Sequence, residues 1–312
     1  MKFNSIPLIP GEEIKVDINI AKLPSHSPID ITITTYKSPN PGPVLLLTGG
    51  LHGDEINGVE IIRRIMERNI HKCKAGAVIC IPIINIYGFI HFSRYVPDGK
   101  DVNRSFPGNK NGSLASRIAY YLMKEVIPLI DYGIDFHTGG SDRTNYPQVR
   151  CKLSDPTNQK LADAFHAPFT LDSAYRPNSL RKSVAREGKH IIVYEGGESS
   201  RFDEFAIEEG VNGTIRMMNM LGMTDEYVDP LYENRIIKNS SWIRAGNSGI
   251  FLSKVRYGDS VNKNQIVGNI FDPFGDFSLK VKSPVTGYVI GLNHDPIVHQ
   301  GDALMHIGVV RR

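Results

Sequence analysis

At 312 residues and a net charge of +3, the chain is long enough for one large domain, or for a domain with a smaller partner. Hydrophobic residues make up 41% and charged residues 22%, the balance of a globular protein that can bury a sizeable core. Its Lys and Arg residues are scattered, which argues against nucleic acid or an anionic membrane as the main partner, and no apolar run approaches the roughly 18 residues of a bilayer span.

The opening stretch, MKFNSIPLIPGEEIKVDI, has no sustained apolar core ahead of Glu12 and Glu13, so no signal peptide is expected and the chain reads as cytoplasmic. Residues Asp30 to Lys37 alternate as a half-buried strand does. After the turn cluster PNPGP, the run Val44 to Thr48 is continuously apolar, and similar runs recur at Val78 to Ile84, Gly133 to Phe136 and His190 to Tyr194. Such runs suit strands buried on both faces of a largely parallel sheet. Segments with helical spacing lie between them: Asn57 to Met66, Leu114 to Ile127, Gln159 to Phe165 and Phe205 to Leu221. The alternation predicts an α/β fold with a mostly parallel central sheet flanked by helices, spanning residues 1–228. Cys73, Cys80 and Cys151 are odd in number and lack CxxC spacing, so they read as reduced thiols.

After about Asp229 the composition shifts to short strands separated by Gly, Asn and Asp turns. A weak internal repeat sets Gly249 against Gly287 and Gly258-Asp259 against Gly301-Asp302. Residues 229–312 are therefore expected to form a small all-β domain resembling a barrel-sandwich hybrid. Its turn DPFGDF (Asp272 to Phe277) has no lysine at the tip, which argues against a swinging-arm carrier.

Ligands in α/β sheets gather at the carboxyl ends of the strands. His52 lies just after one strand, and His137 and Glu195 end two others. A catalytic metal needs about three protein ligands and one open position. In HGDE (His52 to Glu55) the short spacing brings a histidine and a carboxylate to one side, with Gly53 between them allowing a sharp turn. A third ligand must come from far off in sequence, and IDFHTGG offers His137.

GGLHGDE, DVNRSFPG, DFHTGG and IIVYEGGE, in that order, resemble the succinylglutamate desuccinylase/aspartoacylase family, a branch of the zinc carboxypeptidase-like enzymes. The motifs span Gly49 to Glu198, and the similarity continues to about Met223. The resemblance implies a single zinc on His52, Glu55 and His137, with Glu195 as general base and acid. It implies that Asp101 hydrogen-bonds a ligand histidine, foremost His52, and that Asn103 and Arg104 receive a substrate carboxylate. Arg94 corresponds to the arginine that polarises the scissile carbonyl. Arg181, in NSLRKSVAREG, is expected as a second carboxylate contact, with Lys182 and Arg186 as rivals and an exposed helix face as the competing reading of all three. A structural Asp101–Arg104 ion pair is the competing reading of that loop.

The expected activity is hydrolysis of the amide of a small-molecule N-acyl amino acid, releasing a carboxylic acid and an amino acid. A carboxypeptidase would share every catalytic residue and differ only in its pocket. A non-catalytic scaffold is the reading from another class, and the intact ligand set with Glu195 and Arg104 counts against it. Capping of the pocket and homo-oligomerisation through the β domain are both compatible with the sequence.

Overall fold

The computed structural model of the chain describes residues 2–3, 6–22 and 25–309. A short antiparallel pair, β1 (Lys2–Phe3) and β2 (Ile6–Pro7), precedes the hairpin of β3 (Glu13–Lys22) and β4 (Pro28–Lys37). Strands and helices then alternate: β5 (Val44–Thr48), α1 (Ile56–Glu67), β6 (Ala77–Ile81), α2 (Ile86–Ile90) and α3 (Leu114–Tyr121). They are followed by β7 (Tyr132–Gly139), β8 (Arg143–Cys151), α4 (Pro156–Phe165), β9 (Phe169–Asp172), α5 (Leu180–Arg186), β10 (His190–Glu198) and α6 (Glu204–Met220).

In the large sheet these strands lie in the order β8-β10-β7-β5-β6-β4-β3. The middle four, β10, β7, β5 and β6, are parallel. The flanks are antiparallel, β8 on β10 and β4 on β6, so the sheet is mixed. Short connections explain this: residues 140–142 between β7 and β8 cannot make the crossover that a parallel pair requires. Helices cover both faces, which is why β5 is apolar from Val44 to Leu47. Leu46 packs with Ile79 and Ile118 on one face, while Leu45 and Leu47 pack with Ile61, Phe136 and Val211 on the other.

The helix expected over Leu114 to Ile127 is α-helical only to Tyr121, and then widens over Leu122–Val126 and tightens over Ile127–Leu129. Pro128 has no N–H to continue the ladder and its ring crowds the preceding turn. All three cysteines are free and buried, and burial pushes the thiols of Cys73 and Cys151 up to about 11 and about 12. No helix among the described residues is long and apolar enough to cross a membrane.

Nine strands follow α6: β11 (Arg235–Ile237), β12 (Asn239–Arg244), β13 (Gly249–Ser253), β14 (Ser260–Val261), β15 (Ile266–Phe271), β16 (Ser278–Lys282), β17 (Gly287–Asn293), β18 (Ile297–Val298) and β19 (Ala303–Val309). The matched glycines of the internal repeat, Gly249 and Gly287, open β13 and β17. Strands β16-β15-β13-β18 make a separate sheet. Ile243, Phe251, Val267, Val289, Leu304 and Ile307 form a core of their own. Strands β12, β19 and β17 instead continue the large sheet, because Gly291, Leu292 and Asn293 pair with Asn145, Thr144 and Arg143 of β8. Backbone pairing thus crosses the boundary that the composition shift marks near Asp229.

Gly53 sits in the sharp turn expected of it, where the Glu55 N–H donates to the His52 carbonyl at 3.2 Å, but the turn alone does not require a glycine. It is not among the residues with positive φ. A Cβ there would lie 1.9 Å from the carbonyl carbon of Gly88 and 2.1 Å from the nitrogen of Phe89, both backbone atoms inside α2. Two chain segments meet at that point with no room for a side chain. Gly53→Ala is expected to destabilise the fold by about 1–3 kcal/mol or more, the scale of core overpacking. Because the clash lies between His52 and Glu55, bound metal should fall as well. Thermal unfolding and metal analysis check this, and parental values for both would show that the backbone yields at no cost.

Candidate metal centre and active site

His52 and Glu55 occupy the turn between β5 and α1, with Glu55 at the cap position of the helix. His137 comes from β7, two residues before its end, and Glu195 lies beside it on the parallel strand β10. Glu195 therefore sits inside its strand, just before the irregularity that shifts register between Glu195 and Glu198. Residues far apart in sequence meet because β5, β7 and β10 are neighbours and point the same way.

Donor atoms of His52, Glu55 and His137 all lie within 4.8 Å of one another, and the three residues are buried. Nδ1 of His52 is 2.7 Å from Glu55 Oε1, and Nδ1 of His137 is 2.7 Å from Glu55 Oε2. The two imidazole nitrogens stand 3.2 Å apart, close to the roughly 3.3 Å expected for two nitrogens on one tetrahedral zinc. The outer nitrogen of each ring faces a carboxylate. His137 Nε2 is 2.9 Å from Asp135 Oδ2, and His52 Nε2 is 3.3 Å from Asp101 Oδ1, without the angles of a hydrogen bond. Thr48 Oγ1 donates to the other oxygen of Asp135 at 2.8 Å. Carboxylates behind ligand histidines fix the ring orientation and raise its basicity.

The electrostatics call for a cation. Burial disfavours charge on both histidines, yet Asp135 and Glu55 raise His137 well above its ordinary value, and Glu55 with Asp101 raises His52. Burial likewise works against charge on Glu55, and the two imidazoles hold its carboxyl well below the usual range. Three carboxylates around two imidazoles, with Arg94 as the one fixed cation against them, leave an excess of negative charge that a divalent ion would offset. The donor set, two imidazoles and one carboxylate, suits zinc among the common metals.

Arg94 reaches this cluster. Its Nη1 is 3.2 Å from His52 Nδ1 and 3.3 Å from Glu55 Oε1, while Nε and Nη2 donate to Asp101 Oδ2 at 3.1 and 2.8 Å. Asp101 is thus paired with Arg94, and the competing Asp101–Arg104 pair does not form. Asp101 also caps its own turn, accepting from the Asn103 N–H at 2.7 Å. Asn103 Oδ1 accepts from the Leu180 N–H at 3.0 Å, which ties the loop to the start of α5. Arg104 is exposed and spends one N–H on the Asn103 carbonyl. The pocket walls still desolvate its guanidinium in part, and this, with repulsion from Arg94 and Arg176, depresses its pKa against the pull of Asp101.

One pocket of about 400 Å³ is lined by the whole constellation: the metal cluster, Arg94, Asn103, Arg104, Arg181 and Glu195. Arg181 is placed differently from the expectation of a free carboxylate contact. It is buried, and its guanidinium donates to the Arg150 carbonyl, Ser173 Oγ and the Ala174 carbonyl at 3.0, 3.2 and 2.8 Å. It braces the pocket wall, and its rivals Lys182 and Arg186 are not among the lining residues. Arg176, which does line the pocket, is exposed there.

Several contributors were not singled out from the sequence. Asp135 had a usable signal, since residues two apart on a strand share a face and IDFH puts an acid there. Asn145 and Arg150 had none. They lie on β8, whose polar sequence RTNYPQVRC hides a strand, and both grip Glu195. Asn145 Nδ2 donates to Oε2 at 2.5 Å, and Arg150 Nη1 is 3.1 Å from Oε1. Trp242 of β12 lines the same pocket and stacks on His306 at 4.3 Å.

Comparison with known proteins agrees with this fold. The curated N-alpha-acetyl-L-2,4-diaminobutyric acid deacetylase of Halomonas elongata is 28% identical over 299 residues, covering 90% of this chain and 86% of the relative. The product-bound ectoine utilization protein EutE (DoeB) of Ruegeria pomeroyi has the same fold, with a TM-score of 0.86 at 22% identity, covering 98% of this chain and 97% of that one. A succinylglutamate desuccinylase/aspartoacylase structure from Rhodobacter sphaeroides superposes with a TM-score of 0.84 at 23% identity, covering 96% of each chain. The model of the succinylglutamate desuccinylase/aspartoacylase catalytic domain matches residues 41–221, more than half of the chain and every residue of the metal cluster, and the chain belongs to that family.

Proposed function

We propose that the chain is a zinc-dependent hydrolase that cleaves the amide bond of an N-acyl amino acid. The observation that carries this reading is the cluster of His52, Glu55 and His137, with a carboxylate behind each imidazole and Glu195 in the same pocket. Similarity to a deacetylase over most of the chain supports an amide substrate.

His52, Glu55 and His137 would hold the ion, with Asp135 and Asp101 setting the orientation of the two rings. When bound, zinc acts as a Lewis acid and lowers the pKa of a water towards ~7. Glu195 takes the proton of the attacking water and returns it to the departing amine, so that the amide and water become a carboxylic acid and an amine. Arg94 donates from beside the cluster to the negative charge that develops on the carbonyl oxygen. Asn103, Arg104 and Arg176 offer their donors to the α-carboxylate of the amino acid, and Arg181 keeps that wall in place. Residues 229–312 act as a second unit that closes one side of the pocket through Trp242.

The direct test is a turnover screen of the zinc-loaded protein against N-acyl amino acids, N-α-acetyl-L-2,4-diaminobutyrate and N-succinyl-L-glutamate among them, with short peptides as the other arm. Release of free amino acid from acyl amino acids is the expected result. Turnover of peptides alone would make the chain a carboxypeptidase, and turnover of neither would remove the enzymatic reading.

Arg104 gives a second prediction. Its planar fork matches a carboxylate better than an ammonium does. Arg104→Lys should lose about 1.5–3 kcal/mol of catalytic efficiency on substrates with a free α-carboxylate, the scale of a charge-assisted hydrogen bond. Substrates capped as the amide should be poor for the parent and lose little more. Equal losses on the paired substrates would make Arg104 a structural residue.

A further inference from the structure

The C-terminal strands reach β10, two residues past the proposed base, through one row of residues across the large sheet. Trp242 stands opposite His306, His306 opposite Gly291, Gly291 opposite Asn145, and Asn145 opposite Gly197. Glu195 neighbours His137 on the next pair of strands. Gly291 is the open place in the row. A Cβ there would lie 3.0 Å from Asn145 Oδ1 and 3.4 Å from His306 Cβ, so the side chains of Asn145 and His306 share the face onto which it would project.

Asn145 is buried, and its amide donates to Glu195 Oε2 at 2.5 Å. With Arg150 on Oε1, each carboxylate oxygen is held by a different side chain of β8. Strand β8 is in turn paired to β17 through Gly291, Leu292 and Asn293, and Gln148 Nε2 donates to the Ile290 carbonyl at 2.9 Å. A general base works within a narrow range of positions, and small displacements cost large factors in rate. We propose that Asn145 is a positioning residue for Glu195, and that Gly291 of β17 keeps free the space that the Asn145 amide needs to reach it. The inference rests on the reading of Glu195 as general base.

The test is a set of double-mutant cycles on the zinc-loaded full-length protein, with whichever N-acyl amino acid of the screen the parent hydrolyses fastest. Asn145→Ala should lower kcat roughly 10- to 100-fold with KM within about twofold, the scale for losing a hydrogen bond to a charged group. Zinc content and thermal midpoint should stay near parental. In a Glu195→Gln background the same substitution should add almost nothing, because residues that act as a unit are strongly non-additive. Gly291→Ala should lower kcat in the parent and lose that effect when Asn145 is already alanine. Asn145→Ser, whose hydroxyl is too short to replace the amide, serves for the same cycles if the alanine variant unfolds. Parental kcat in the Asn145 variants, additive losses with Glu195→Gln, or an undiminished Gly291→Ala effect in the Asn145→Ala background would each overturn the proposal. Parental turnover of Glu195→Gln alone would instead remove the general-base reading beneath it.

Discussion

His137→Ala and His52→Ala are each expected to leave the protein with little bound zinc and little turnover. Either substitution removes one of three donors and leaves the buried Glu55, with the carboxylates behind the rings, facing one imidazole fewer. A site with two ligands cannot hold a catalytic zinc against dialysis as three do. Asp135→Asn is the graded version. It keeps the ligands but weakens the support of His137 Nε2, and such changes cost about 10- to 100-fold in metal affinity or activity. Elemental analysis after dialysis reads the metal, and far-UV circular dichroism checks the fold. The parent should hold about one zinc per chain. Parental metal and turnover in both histidine variants would show that the cluster is a buried polar network and that the metal binds elsewhere.

The sequence showed this centre because its chemistry falls where short-range signals are strong. His52 and Glu55 share one turn, and His137 closes an apolar run, so the strand ends were visible before any contact was. The parallel middle of the sheet was visible for the same reason, since β5, β6, β7 and β10 are buried on both faces. The antiparallel edge was not. β8 presents Arg143, Asn145, Gln148 and Arg150 among its nine residues, and only its pairing with β10 and β17 makes it a strand. Tertiary pairing overrode local propensity there, and the two residues that hold Glu195 went with it.

The fate of Arg181 is a different case. Motif position put it in the pocket correctly, but position does not report hydrogen bonds, and three of them go to Arg150, Ser173 and Ala174. Gly53 shows the same limit for backbone. HGDE gives the turn that the chain makes, but the steric reason for the glycine lies at Gly88 and Phe89, which no local pattern connects to it. What one sequence carries is the type of chemistry and its strand ends. Which polar groups are already satisfied emerges only once the chain is folded.

Glu195→Gln should separate chemistry from metal binding. Glu195 is outside the three-donor cluster, and its oxygens face Asn145 and Arg150. Glutamine has nearly the same shape, so zinc content should remain parental and the fold intact. The amide cannot accept the proton of the attacking water, and turnover should fall by at least about 10²-fold, the lower end for general acid–base catalysis. The amide places a neutral group against Arg150, so a small change in stability is also expected; comparison of thermal midpoints keeps it apart from the loss in rate. KM should change far less than kcat, because the donors assigned to the carboxylate, Asn103 and Arg104, stand on the loop after Asp101 and not on β10. Turnover within a few-fold of the parent would reassign the proton transfer to another group in the pocket. A fall in zinc that parallels the fall in rate would instead make Glu195 part of the metal site, and the three-donor centre would have to be redrawn with four.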